Sequence, residues 1–125
     1  MESLTVSEEI VMKSVWELGG NCTLSQIMMQ SKKHEKEWAL QTVATFLKHL
    51  EDKNYVRPYK DGRFLHYEVL IKEEVYKQYS FRKFLNFWWN GKVGNLICDI
   101  FQENIMPSEE AEIFKKCCSS CINKR

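Results

Sequence analysis

The chain has 125 residues and balances 18 Lys and Arg against 17 Asp and Glu, for a formal charge of +1. It therefore lacks the broad basic excess of a protein that binds nucleic acid by charge alone, and its size suits one domain, or a small domain with an appendage that leans on a partner. The acidic start MESLTVSEE does not resemble a signal peptide, no apolar run comes near the roughly twenty residues a bilayer requires, and five cysteines, an odd number, argue for a reducing compartment over a disulfide framework, so a soluble, cytoplasmic protein is expected.

Thr5 and Glu8 have capping-box spacing ahead of Ile10, Val11, Val15 and Leu18, which make an apolar helix face that Gly19-Gly20 ends. Thr23 and Gln26 repeat the pattern at the start of a helix carrying Leu24, Ile27 and Met28. Gln30 to Lys36 then reads as a polar connector with three lysines and His34. Trp16 and Trp38 are expected to pack in the core.

A third helix is expected from about Glu37 to Lys53, because Val43, Phe46, Leu47 and Leu50 fall at i, i+3, i+4 and i+7. Its other side carries Gln41, Thr42, Thr45, Lys48, His49 and Asp52, short hydrogen-bonding groups with one or two cations, which suit base edges and phosphates. Asn54 follows where a helix end favours the left-handed conformation. Tyr55 to Tyr59 and Phe64 to Val69 read as strands around an Asp61-Gly62 turn, with Pro58 marking an edge strand and Lys60 and Arg63 at the tip. Helix, turn, helix and hairpin in that order define a winged helix-turn-helix over residues 1–71. Its DNA-binding set is Gln41, Thr42, Thr45, Lys48, His49, Lys60 and Arg63. Residues 1–70 hold nine Lys and Arg against ten Asp and Glu, so any affinity must come from local placement, with Lys32, Lys33 and Lys36 joining the patch.

Residues 72–125 read as a helical dimerisation region, which makes the whole chain mainly α with a small β-hairpin. One helix spans Lys72 to Trp89, with Val75, Tyr79, Phe84, Phe87 and Trp88 among its apolar residues, until Asn90-Gly91 breaks it. Leu96, Ile97, Ile100 and Phe101 form a second, and Pro107-Ser108 introduces a third through Ala111, Ile113 and Phe114. Some fifty residues cannot readily bury that many aromatics alone, so Phe84, Phe87, Trp88, Leu96, Ile97, Ile100 and Phe101 are expected in a two-fold interface between copies, the alternative being a monomer whose helices fold back on the first half. Cys98 and Cys22 are expected in the core. On a helix Cys117 and Cys121 share a face and Cys118 sits about 100° around, a set that could clamp copper or zinc or simply form a cysteine-rich frayed tail. Otherwise no cofactor is implied. An enzyme is not indicated: His34, His49 and His66 are scattered, and neither a metalloprotease helix motif nor a phosphate loop occurs.

The runs LTVSEEIVMKSVWELGG, TLSQIM and WALQTVATFLKHLEDKNYVRPYKDGRFLHY resemble the penicillinase-repressor and methicillin-resistance-repressor family, which also includes copper-transport repressors. The resemblance covers roughly residues 4 to 105, and its most specific parts are Met12 to Gly19, Trp38 to Leu47 and the wing Lys60 to Arg63. It implies a homodimeric winged-helix repressor on an operator of dyad symmetry, controlling genes of the antibiotic-resistance type or related stress genes. Thr42 and Thr45 match the family's recognition-helix threonines and Arg63 its wing arginine, whereas Ala44 and His49 stand where cations are usual. A membrane sensor protease system triggers cutting in the penicillinase branch, and the alignment puts Asp99 and Ile100 at that bond without its usual Asn-Phe. The competing reading is a winged-helix module for protein interaction that does not bind specific DNA.

Overall fold

The computed structural model describes residues 1–103 and 106–123, with side chains as far as Ser120. The elements in order are α1 (Val6–Glu17), β1 (Cys22–Thr23), α2 (Leu24–Ser31), a 3-10 turn (Lys32–His34), α3 (Leu40–Asp52), β2 (Val56–Asp61), β3 (Phe64–Val69), α4 (Glu73–Trp89), α5 (Val93–Gln102) and α6 (Ser108–Asn123). The chain forms two compact units, Met1–Gln78 and the residues from Tyr79 onward, and the division falls within α4.

Both capping boxes form. Thr5 accepts from the Glu8 backbone N–H while the Glu8 side chain accepts from the Thr5 N–H, and Thr23 and Gln26 do the same at α2. Each satisfies two backbone donors that a helix start leaves without partners. The first unit packs α1, α2 and α3 around Val11, Met12, Val15, Ile27, Val43, Leu47 and Leu50, all fully buried, and closes over Tyr55 and Val56. Burying each such side chain stabilises the fold by about 1.5–3 kcal/mol. The buried face of α1 is rotated from the one expected: Met12 and Ser14 point inward, while Ile10 and Leu18 are only half-buried. Ser14 is tolerated there because its hydroxyl donates to the Ile10 carbonyl and meets the Ser31 hydroxyl at 3.3 Å, tying α1 to α2.

Two helix boundaries differ from expectation. The connector expected at Gln30 to Lys36 begins later, since Gln30 and Ser31 complete α2 and the chain then tightens into the 3-10 turn. Glu35 follows in the left-handed region at φ 61°. The third helix starts at Leu40, not near Glu37, with Ala39 extended at its N-cap, and Trp38 packs beside half-buried Phe46 at a ring distance of 5.0 Å. Asn54 ends the helix at φ 65° as expected.

The sheet has three antiparallel strands in the order β1-β3-β2, so Pro58 lies on an edge strand. Asp61 pairs with Phe64, which makes the two-residue turn Gly62-Arg63 and not Asp61-Gly62. Gly62 takes φ +67° while Arg63 stays negative, the pattern of a II′ hairpin turn whose twist matches the strands. Trp16 is half-buried and donates its indole N–H to the Ile71 carbonyl at 3.0 Å, fixing the exit from the sheet.

In the second unit Phe84 packs on Trp89 (5.3 Å), Phe87 on Trp88 (4.7 Å) and Phe101 on Phe114 (5.8 Å). The Trp89 indole donates to Asp99 Oδ2 at 2.6 Å, linking the end of α4 to α5. Asn90 and Gly91 break the helix at φ 51° and 78°. Cys98, expected in the core, is exposed, because the inward stripe of α5 runs through Leu96, Ile97 and Ile100 and leaves position 98 outside it. Among the described residues no helix is long and apolar enough to cross a membrane.

Candidate nucleic-acid interface

α3 divides as an amphipathic helix should. Val43, Leu47 and Leu50 face the core, while Gln41, Thr45, Lys48, His49 and Asp52 are exposed and Thr42 is half-buried. The Thr45 hydroxyl donates to the Gln41 carbonyl at 3.0 Å, which fixes its rotamer and leaves the oxygen's lone pairs directed outward as an acceptor.

The cations differ in how far they are already engaged. Lys48 lies 3.4 Å from Asp52 and 3.7 Å from Glu51, and Asp52 foremost holds its ammonium above the usual lysine range. These pairs are solvent-exposed, so they are weak and yield to a phosphate at little cost. Lys32, Lys33, Lys36, Lys60 and Arg63 make no ion pair with the described residues. Lys60 and Arg63 are exposed at the wing tip, where Arg63 is the second residue of the hairpin turn. Arg57, further down the wing, is neutralised by Glu68 across the strand pair.

The residue that sequence reasoning undervalued is Glu8. Expected only as the capping-box partner of Thr5, it is 3% exposed and sits under the C-terminal end of α3. Its Oε1 accepts from Lys53 Nζ at 2.6 Å as well as from the Thr5 N–H at 2.9 Å, and its Oε2 lies 3.4 Å from His49 Nδ1. Burial pushes the carboxyl upward, but the bonds from Lys53 and Thr5 and the nearby His49 outweigh it and hold Glu8 below the usual carboxylate range. The capping-box spacing was the one visible signal; Lys53 and His49 lie more than forty residues away. A second carboxylate, Glu17, holds His34 at 2.6 Å and accepts from Gln30 at 3.3 Å. His34 is the main cause of the lowered Glu17 carboxyl.

Cys22 is buried as expected, and loss of solvent pushes its thiol up to about 11. Phe84, Phe87, Trp88 and Phe101 stand 47%, 74%, 64% and 51% exposed, an unusual amount of aromatic surface for one short helical unit. Leu96, Ile97 and Ile100 are half-buried and Asp99 is exposed. Cys117 is exposed and Cys118 half-buried on α6, and the Cys121 side chain lies outside the described residues. The described residues bring no three His, Cys, Asp or Glu side chains together in a metal-holding group.

A helix-turn-helix of α2 and α3 carrying a β2–β3 wing, with a polar outer helix face, defines a winged-helix protein of the DNA-reading class. The penicillinase repressor family model matches residues 4–119, and the chain belongs to that family of DNA-binding transcriptional repressors. It is similar to the penicillinase repressor of Bacillus licheniformis, with 28% identity over 100 residues that span 80% of this chain and 77% of that one. Its structure is similar to the solution structure of the Bacillus licheniformis BlaI monomeric form in complex with the blaP half-operator, at 25% identity and a TM-score of 0.50 over 60% of this chain and 89% of that one. Streptococcus pneumoniae FabT in complex with DNA, at 18% identity and a TM-score of 0.50 over 97% of this chain and 75% of that one, shares the fold.

Proposed function

We propose that the protein is a homodimeric repressor that occupies a dyad-symmetric operator and leaves it when an inducing signal separates the two copies. The observation that carries this reading is the outer α3 face, with Gln41 and Thr45 exposed and Thr42 half-buried, accompanied by wing cations at Lys60 and Arg63 that make no ion pair among the described residues. The threonines and the glutamine read base edges, and Lys48, His49, Lys60 and Arg63 meet phosphates. A related protein occupies a half-operator as a monomer, so two copies of this chain would fill a full one.

The near-neutral head makes the second copy necessary. With nine cations against ten carboxylates over residues 1–70, one head releases few counterions on binding. Joining two heads through residues 72–125 makes the second contact intramolecular and raises affinity by orders of magnitude without new contacts. The exposed aromatics Phe84, Phe87, Trp88 and Phe101, with Leu96, Ile97 and Ile100, supply the surface such a dimer buries. Induction then needs only to undo the dimer, by a sensor protease cutting α5 near Asp99-Ile100 or by a ligand at the cysteines of α6. The regulated genes would be of the antibiotic-resistance type or related stress genes.

Selection of duplexes from a random pool tests the reading. Enrichment of an inverted repeat with half-site centres about one or two DNA turns apart is expected. A pool that stays random through successive rounds would favour the protein-interaction module instead.

A further inference from the structure

Two histidines meet carboxylates at opposite ends of α1. His34, at the end of the 3-10 turn, holds Glu17 in the last turn of α1, with Nε2 to Oε1 at 2.6 Å. His49, in the last turn of α3, holds Glu8 in the first turn of α1, with Nδ1 to Oε2 at 3.4 Å. The helix-turn-helix is thus fastened to α1 near both ends of that helix, each time by an imidazole on a carboxylate.

We propose that protons on His34 and His49 fasten the helix-turn-helix to α1, so that DNA binding tightens as pH falls through the histidine range. This rests on the DNA-binding reading above.

The surroundings fix the sign. His34 faces Glu17 and, beyond it, Lys13 from α1, while Gln30 shares the Glu17 oxygen. Its own stretch contributes Lys32, Lys33, Glu35 and Lys36. Lys13 is itself drawn to Glu73 at 2.6 Å. His49 faces Glu8 from α1, and α3 adds Lys48, Asp52 and Lys53, of which Lys53 is spent on Glu8 and Lys48 on Asp52 and Glu51. With His49 uncharged, that end of the head carries three carboxylates against two ammonium groups, a net repulsion toward DNA that one proton cancels. Phosphates arriving beside the turn and α3 add negative potential on the far side of each ring. The complex therefore binds protons more tightly than the free protein, and binding takes them up.

The test uses the full chain and the duplex enriched from the random pool, with affinity read by fluorescence anisotropy from pH 6 to pH 8 at constant salt. The wild-type protein is expected to lose about three- to thirtyfold in affinity over that range, given linkage of up to one proton per histidine. H34Q/H49Q retains hydrogen bonding without titrating, and should give a flat profile. H49R carries its charge at every pH and should hold more affinity at pH 8 than wild type, with a shallower slope. Melting temperatures at pH 6 separate a folding defect in the double variant from a binding effect, and H49R provides the comparison if the double variant fails to fold. Specific binding with a flat wild-type profile, or an unchanged slope in H49R, would overturn this inference alone. Failure of the pool to yield any specific duplex would overturn the operator reading and this one together.

Discussion

Removing the Glu8 carboxylate perturbs both the fold and the reading surface, and its cost can be worked from its three partners. In Glu8→Ala the Thr5 N–H loses its cap, worth about 1 kcal/mol, and the mostly buried Lys53 ammonium loses its counter-ion. Breaking a buried pair in this way costs about 3–5 kcal/mol in full. Lys53 is 24% exposed on its side chain and keeps its bond to the Ser3 carbonyl, so part of that penalty is recovered by solvent. The expected loss at pH 7 is about 2–4 kcal/mol. Glu8→Gln keeps an oxygen for the Thr5 N–H and should lose about half as much. The acid limb follows from the lowered native carboxyl: the unfolded chain takes up the proton first on acidification. The Glu8 contribution is therefore complete above the ordinary value of 4.5 and disappears as pH falls through the lower native value. Urea unfolding of the full chain at fixed protein concentration, followed by far-ultraviolet circular dichroism from pH 7 to pH 3, measures both effects. The difference between wild type and Glu8→Gln should shrink below pH 4.5. A Glu8→Ala loss under about 0.5 kcal/mol, or a difference independent of pH, would refute the role assigned to this carboxylate.

Three further outcomes are expected. Arg63→Ala should weaken binding to all duplexes alike and lower the salt slope by about one, while Thr45→Ala should change the ranking among duplexes; equal losses from both on every sequence would remove that division of labour. Cys22 should resist alkylation at pH 8 in the native protein while Cys98 and Cys117 react, as peptide mapping would show. Since its native thiol stands near 11 against an ordinary 9.0, the unfolded chain ionises first and Cys22 should withdraw stability as pH rises between those values. Replacing Phe87 and Trp88 together by Ser should shift the protein from dimer to monomer in sedimentation velocity without altering the melting of the first unit; a double variant that remains dimeric would place the interface elsewhere.

What was legible in the sequence was local. Thr5 with Glu8, Thr23 with Gln26, Asn54 after α3 and Asn90-Gly91 after α4 act within four residues of themselves, and each appears where its spacing put it. The division of α3 was visible because Val43, Leu47 and Leu50 follow the helical period. The tip of the wing came out one residue later than the Asp-Gly signal suggested, since strand pairing through Asp61 and Phe64 decides which two residues are left to turn. The rest depended on distant partners. Nothing near Glu8 announces Lys53 or His49, and Cys98 looked buried only because its neighbours in sequence are apolar. The polar outer face of α3 was legible as a set of residue types; its ties to α1 through Glu8 were not.

Fluorescence anisotropy with the enriched duplex, compared with the same duplex carrying one intact and one scrambled half-site, tests the central claim most directly. A dimeric operator-bound repressor predicts tight, competitor-resistant and salt-sensitive binding to the full repeat and a loss of a hundredfold or so when one half is scrambled. Equal affinity for the full and half-scrambled duplexes, at low and moderate salt alike, would contradict it.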